Sequence, residues 1–213
     1  MKRQRWVSDS LEQKHVEGCR VFADRHQMIE FLAPHILRGT VAEIGVEYGL
    51  FSEFLIEKLQ PVMFHAYDLF NLHLLSEYGH RRPQDILGMR SHRTFFEDRF
   101  SSQIAAGTVE LFEGDSSCNL MNQPDHTYDL IYIDGDHTLG GVSKDAGAAR
   151  VKVKPGGILV FNDYTMWDCT YPGPAWPFGV VQCVNYLCVH HGWRMVAFAL
   201  QQEMFCDVAL VKG

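Results

Sequence analysis

A glycine turn between a short apolar strand and an amphipathic helix is the feature that most constrains how this chain folds. Residues 40–49 read TVAEIGVEYG, and apolar residues recur at helical spacing through residues 50–59. Gly45 and Gly49 carry no Cβ, so a ligand can approach the backbone N–H groups of the turn. The order of strand, turn and helix predicts an α/β fold with a site for a nucleotide-like cofactor. The alternative is a tight turn that binds no ligand.

The spacing of these glycines separates two classes of cofactor. A dinucleotide-binding fingerprint would have glycines at positions 45, 47 and 50, whereas this chain has Glu47 and Leu50. Glu43 and Glu47 would also repel a pyrophosphate, because both side chains are acidic. The pattern E-x-G-x-x-x-G instead resembles motif I of the class I S-adenosylmethionine (SAM) methyltransferases.

Length, charge and cysteine content exclude several other classes. The 213 residues suffice for one α/β domain, and the net charge of −7 argues against a nucleic-acid partner. No apolar run reaches the ~20 residues of a membrane span, and no signal-peptide core follows the basic start. Six scattered cysteines without a C-x-x-C pair predict reduced thiols. We therefore expect a cytoplasmic protein with no nucleic-acid or membrane partner, and leave a homo-oligomer open.

Short apolar strands alternate with helices along most of the chain. Residues 9–37 are predicted to be helical, and this N-terminal helical extension is expected to span residues 1–38. Over residues 39–213 the alternation predicts a single Rossmann-like, doubly wound α/β domain with a mostly parallel sheet. The predicted strands cover residues 41–44, 63–67, 108–112, 128–133, 158–161, 194–200 and 207–212.

Acidic side chains lie at the ends of five predicted strands. Ligands of parallel sheets bind at the carboxyl ends of the strands, so these residues predict one site. They are Glu43, Asp68, Asp115, Asp134 and Asp163. Asp68 is expected to accept hydrogen bonds from ribose hydroxyls. Gly114, Asp115 and Ser116 are expected to meet the edge of an adenine ring. Helix capping and Asx turns are the structural alternatives.

Two polar segments, IDGDHT and FNDY, follow successive strands in the second half of the chain. If these strands are neighbours, Asp134, Asn162 and Asp163 converge, and such oxygen ligands suit Mg²⁺. Asp136 would then lie beside the metal as a base. In the alternative, Asp134 caps the next helix while His137 points into solvent.

From about residue 39 onward the chain resembles a class I SAM-dependent methyltransferase, most of all the macrocin-type sugar O-methyltransferases. The segments that carry this resemblance are YDLIYIDGDH from Tyr128, then Asp145, KPGG from Lys154 and FNDY from Phe161. The resemblance implies a sheet of about seven strands in the order 3-2-1-4-5-7-6, with the last strand antiparallel. It also implies SAM contacts for Glu43, Gly45, Gly49, Asp68 and Asp115. Gly114, Ser116 and Asp134 complete the predicted cofactor site.

The same resemblance implies the catalytic roles. The macrocin-type enzymes hold Mg²⁺ with the first aspartate of I-D-G-D and two acidic residues after strand five, and the second aspartate is the base. Carried over, Asp134, Asn162 and Asp163 are the metal ligands and Asp136 is the base. Asn162 departs from the family's aspartate, although Asp/Asp/Asn is also the set of catechol-type O-methyltransferases. His137 replaces an apolar residue and is an alternative base or fourth ligand.

These observations predict a SAM-dependent, Mg-assisted O-methyltransferase that acts on a hydroxyl of a small molecule such as a sugar, a glycosylated natural product or a phenol. A metal would lower the pKa of that hydroxyl, and the base would remove its proton. Acceptor specificity is expected from residues 71–107 and from the aromatic loop over residues 167–178. The alternatives are a silent SAM-binding module, a metal-independent methyltransferase and an oxidoreductase that uses another nucleotide.

Overall fold

The computed structural model describes residues 8–79, 81–168 and 176–213, and an eight-stranded sheet forms the centre of the molecule. The strands are β1 (Arg20–Phe22), β2 (Thr40–Ile44), β3 (Met63–Asp68), β4 (Val109–Glu113), β5 (Tyr128–Ile133), β6 (Val153–Phe161), β7 (Trp167–Asp168), β8 (Trp176–Pro177), β9 (Trp193–Ala199) and β10 (Asp207–Lys212). The helices are α1 (Gln13–Val16), α2 (Arg25–Leu32), α3 (Leu50–Leu59), α4 (Pro83–Leu87), α5 (His92–Arg99), α6 (Ser101–Ala105), α7 (Ser116–Met121), α8 (Leu139–Lys152) and α9 (Val180–His191). Short 3₁₀ turns cover Ala33–His35, Leu72–Leu74 and Gln202–Met204.

The strand order confirms the predicted fold class. The sheet runs β1-β9-β10-β6-β5-β2-β3-β4, and β7 pairs separately with β8. When the strands of this sheet are renumbered along the chain from β2, the order from β4 to β9 is the predicted 3-2-1-4-5-7-6. Strand β1 is an eighth strand beyond β9. The strand β10 is antiparallel to both of its neighbours, and the other pairs in this sheet are parallel.

The N-terminal segment corrects one prediction, because residues 9–37 do not form a single helix. Gly18 follows α1 with a φ of 76°, and β1 then pairs in parallel with β9. A new helix starts after Asp24, whose side chain accepts a hydrogen bond from the Gln27 N–H. The left-handed conformation of Gly18 and the helix cap at Asp24 interrupt a helix that apolar spacing alone predicted to be continuous. The predicted helical extension is therefore a mixed segment that joins the main sheet.

Both faces of the sheet are covered, as the continuous apolar sequence of β5 requires. Ile131 and Ile133 pack with residues of α8 and α9 on one face, among them Val142 and Val184. Leu130 and Tyr132 pack on the other face with residues of α2, α3 and α5, among them Ile29, Leu55 and Phe96. This arrangement leaves the carboxyl ends of β2, β3 and β5 at one edge. Within the described residues, no helix has the length and apolar character needed to cross a membrane.

Candidate active site

A cleft of about 510 Å³ lies at the carboxyl ends of the central strands. Six of the eight predicted cofactor residues line it: Gly45, Asp68, Gly114, Asp115, Ser116 and Asp134. Among the described residues, its wall carries five aspartates and Glu47 against one cationic side chain, Lys144. Such a lining attracts a cation such as a sulfonium and repels a pyrophosphate.

The glycine turn is shaped by close contact between two strand ends. The N–H of Asp134 donates to the Ile44 carbonyl at 2.8 Å, so the ends of β2 and β5 touch. Gly45 has a φ of 82°, and a Cβ there would overlap the Asp134 carbonyl oxygen. Gly49 lies outside the cleft wall, where a Cβ would come within 2.8 Å of the Phe100 ring. Packing thus requires both glycines, and Gly45 also borders the ligand space.

Asp68 holds the glycine turn in place. One carboxylate oxygen accepts from the N–H groups of Val46 at 2.9 Å and Glu47 at 3.4 Å. The other oxygen accepts from the N–H of Phe70 at 2.7 Å, which is the turn-capping role considered as an alternative. Asp68 also lines the cleft, so its predicted contact with a ribose stays a prediction.

Glu43 lies behind the cleft wall and is almost fully buried. Its carboxyl oxygen accepts a hydrogen bond from the Ser52 hydroxyl at 2.5 Å, which links β2 to α3. Burial raises the pKa of Glu43 to about 8, although the Ser52 hydrogen bond opposes the shift. The predicted direct contact between Glu43 and SAM stays a prediction, and the described contacts are structural.

Two acids lie at the predicted adenine end of the cleft: Asp115, which the sequence predicted as a site residue, and Asp145, which it did not. Asp115 caps α7 by accepting from Ser117 Oγ at 2.6 Å and Cys118 N at 2.8 Å. These hydrogen bonds lower the pKa of Asp115 to about 2. Ser116 Oγ donates at 2.5 Å to Asp145, a residue of α8 that also lines the cleft. Burial raises the pKa of Asp145 to about 6.

His137 lies between two of the predicted metal ligands. Its Nε2 atom is 3.4 Å from Asp134 Oδ1, and its Nδ1 atom is 3.7 Å from Asp163 Oδ2. Nε2 is buried, and among the described residues it makes no hydrogen bond of ordinary geometry. Burial opposes protonation of the ring, but the carboxylates of Asp134, Asp163 and Asp136 together raise the pKa of His137. Burial also raises the pKa of Asp163 to about 6, while the charge of His137 opposes this.

Asp136 is exposed and lines the cleft, but its carboxylate turns back toward its own chain. It accepts a hydrogen bond from the N–H of Thr138 at 2.9 Å. The next helix is capped by Thr138, whose hydroxyl accepts from the Gly141 N–H. The alternative in which Asp134 caps α8 is therefore wrong, and so is the one in which His137 points into solvent.

The three predicted metal ligands already contact other side chains, and magnesium binding there stays a prediction. Two oxygen ligands of one octahedral Mg²⁺ lie within about 4 Å of each other, because each is about 2.1 Å from the ion. The His137 ring contacts the carboxylates of both Asp134 and Asp163, so a metal ion would compete with it for them. The Asn162 amide is buried and donates to Asp207 at 3.0 Å. The described residues also contain no cluster of three His, Cys, Asp or Glu side chains suited to a metal.

Two further residues near the site were not identified from the sequence. Arg25 of α2 lies 3.6 Å from Asp134 Oδ2, and a lone arginine at a helix start gives no sequence signal for this. His92 is fully buried, and its ring contacts the carbonyl of Glu47 in the glycine turn. Its apolar neighbours Phe95 and Phe96 were the one hint that it faces inward.

The two segments expected to recognise the acceptor are described in part. Leu72, Leu75 and Tyr78 of the first segment line the cleft. Residues 169–175 of the aromatic loop lie outside the described residues. At the end of that loop, the Phe178 ring lies 4.8 Å from the ring of His137.

Residues 42–164 match a protein family described as a methyltransferase domain. The chain belongs to this methyltransferase family. The match includes the glycine turn and the IDGDH and FNDY segments, and the chain is a class I SAM-dependent methyltransferase. No curated protein matches the chain.

Solved structures of other methyltransferases share the fold. The O-methyltransferase TomG from Streptomyces achromogenes, solved with SAM, is 18% identical with a TM-score of 0.58, over 89% of this chain and 80% of that one. A putative caffeoyl-CoA O-methyltransferase from Staphylococcus aureus is 15% identical with a TM-score of 0.59, over 88% and 82%. The tRNA methyltransferase TrmK from B. subtilis is 11% identical with a TM-score of 0.57, over 90% and 67%. These similarities show the fold alone.

Proposed function

We propose that this methyltransferase transfers the methyl group of SAM to a hydroxyl group of a small molecule, with His137 as the base and without a metal ion. The observation that carries the proposal is the place of the His137 ring. The residue directly follows the cleft-lining residues 134–136, and its buried Nε2 atom, 3.4 Å from Asp134 Oδ1, makes no hydrogen bond of ordinary geometry to the described residues. A substrate hydroxyl is a suitable partner for this nitrogen.

The reaction is an in-line displacement at the methyl carbon. The hydroxyl oxygen forms a bond to the methyl carbon while the bond from that carbon to sulfur breaks and S-adenosylhomocysteine leaves. The hydroxyl proton passes to His137 Nε2 and then to solvent. Asp163, 3.7 Å from Nδ1, orients the ring. Such proton removal contributes ~10²–10⁴-fold, and most of the remaining rate comes from holding donor and acceptor in contact.

A small acceptor is supported by the walls of the cleft. Leu72, Leu75 and Tyr78 offer apolar and aromatic faces to a flat ring or a sugar. Phe178 adds an aromatic ring beside His137. TomG and the putative caffeoyl-CoA enzyme are named as O-methyltransferases, whereas TrmK is named as a tRNA methyltransferase. The net charge of −7 disfavours a nucleic acid here, because phosphates would be repelled. The choice among sugar, glycosylated natural product and phenol, and the macrocin-type assignment, stay predictions.

Magnesium assistance stays a prediction from the resemblance, whereas the mechanism proposed here uses no metal ion. A magnesium ion bound by Asp134 and Asp163 would require the His137 ring to move out from between them. With the ring in place, the base is already positioned beside both carboxylates. We therefore favour the metal-independent alternative.

The test compares His137→Gln with Asp136→Asn in an assay of methyl transfer from labelled SAM to a panel of phenols and sugars. We expect His137→Gln to lower kcat by ~10²–10⁴-fold while SAM affinity, measured by calorimetry, stays within about threefold. Asp136→Asn should lose less than about tenfold, and excess EDTA should leave the wild-type rate unchanged.

Each contrary result selects one alternative. The reverse ranking of the two variants would make Asp136 the base. Activity lost in EDTA and restored by Mg²⁺ would support the metal-assisted mechanism. SAM binding without methylation of any acceptor would favour the silent module.

A further inference from the structure

Arg25, the first residue of α2, connects the N-terminal segment to the catalytic edge of the sheet. Its Nη1 atom lies 3.6 Å from Asp134 Oδ2 and donates to the Tyr132 hydroxyl at 3.3 Å. The guanidinium stands 4.0 Å above the ring centroid of Phe51. About a quarter of the side chain is exposed. The planar group is therefore fixed on three sides before any ligand binds.

A buried network fixes the backbone of Arg25 as well. Asp207 is fully buried and accepts hydrogen bonds from the Tyr132 hydroxyl, from Asn162 Nδ2 at 3.0 Å and from Gln201 Nε2 at 3.0 Å. The carbonyl oxygen of the same Gln201 side chain accepts from the Arg25 N–H at 3.2 Å. Asp207 thus anchors the start of α2, because its partners hold both the backbone and the side chain of Arg25.

The two oxygens of the Asp134 carboxylate face different partners. Oδ2 faces Arg25, and Oδ1 faces Nε2 of His137. Asp163 and Asp136 add further negative charge around His137. Without Arg25, the Asp134 carboxylate would be free to rotate, and the negative charge at this edge would lose its permanent counter-charge.

We propose that Arg25 is a positioning residue for methyl transfer, which holds the Asp134 carboxylate at the mouth of the SAM cleft and opposite His137. This role rests on the proposed function of the site. Arg25 lies outside residues 42–164, which match the methyltransferase family, so a segment beyond that region completes the active site. Arginine suits the position because it stays charged. Its planar group can also stack on Phe51 while its N–H groups donate hydrogen bonds in the plane of the guanidinium.

The test compares Arg25→Met with a matched control, Arg20→Met, in the full-length protein. Arg20 comes from the same segment and also stacks on an aromatic ring, that of Phe31, but it lies on β1 away from the cleft. Arg25→Met should lower kcat/KM by about 10- to 100-fold, the usual range for loss of a charged hydrogen bond. Arg20→Met should stay within about twofold. Arg25→Lys keeps the charge but not the planar group, so it should recover only part of the loss.

A double-mutant cycle with Asp134→Asn separates positioning from general structural support. If Arg25 acts through Asp134, Arg25→Met should cost less than about threefold in kcat/KM when Asp134 is already Asn. Equal losses in both backgrounds, or a lower melting temperature with wild-type kcat/KM, would overturn the proposal. SAM binding by the wild type is measured in a separate calorimetry experiment. Its absence would reject the methyltransferase site itself rather than the role of Arg25.

Discussion

The carboxyl group of Glu43 lies inside the protein, although a glutamate is normally charged at neutral pH. Burial raises its pKa to about 8 from 4.5, its value when exposed. The folded protein therefore holds one proton more than the unfolded chain between these two pH values. The stability contributed by this group is complete below pH ~4.5 and decreases as pH rises through ~8.

We predict that Glu43→Gln removes this dependence on pH, because glutamine keeps a hydrogen bond to Ser52 but does not titrate. Urea unfolding of both proteins at pH 5, 6, 7 and 8 measures the difference. The wild type should lose stability relative to Glu43→Gln by at most about 1.4 kcal/mol per pH unit. A constant difference across this range would show that Glu43 is ionised inside the fold.

At the scale of single residues, the sequence predicted which residues lie at the site better than it predicted which side chains they contact. Asp134, Asp136 and Asp163 were expected at one edge of the sheet, and they lie there. The sequence could not show that the His137 ring enters the space between two of them, since that depends on a side-chain rotamer. Nor could it select Arg25, whose link to Asp134 spans more than 100 residues of chain.

At the scale of elements, the contact between the ends of β2 and β5 shapes the cleft. We predict that Gly45→Ala weakens SAM binding by at least tenfold, because the new Cβ would overlap the Asp134 carbonyl and the backbone has a positive φ. Calorimetry measures the affinity. Gly147→Ala in α8 is the control, since no atom lies within 4 Å of its Cβ position and a helix favours alanine.

Unchanged affinity in Gly45→Ala would show that the turn can move away from β5 without cost. A destabilised Gly147→Ala would show that the substitution itself, rather than its place in the turn, causes the loss.

The elements that the sequence missed are those set by distant contacts. Strand β1 has three residues and exists because Arg20 to Phe22 pair with residues 197–199 of β9. No local period marks so short a strand, so the helical prediction extended through it. By contrast, β5 was predicted correctly because six consecutive residues carry its apolar pattern.

At the scale of the whole molecule, charge and topology together determine which cofactor fits. We predict that SAM and S-adenosylhomocysteine raise the melting temperature, whereas NAD and NADP do not, because the acid-lined cleft repels a pyrophosphate. At 100 times the dissociation constant the gain is about 2.7 kcal/mol, which corresponds to a shift of about 5–10 °C. Thermal unfolding followed by circular dichroism measures it, and a comparable shift with NAD would contradict this assignment.

The pairing of β1 with β9 also has a consequence for the order in which the protein is made. During translation Arg25 leaves the ribosome before residues 193–199 do. Until β9 has emerged, strand β1, which precedes α2, has no strand to pair with. Asp207, which anchors the start of α2, emerges later still. A nascent chain therefore carries its glycine turn and acidic strand ends long before Arg25 reaches Asp134. The proposed methyl-transfer site is complete only after β9 and Asp207 have emerged, so a chain that stops before them would lack an intact site.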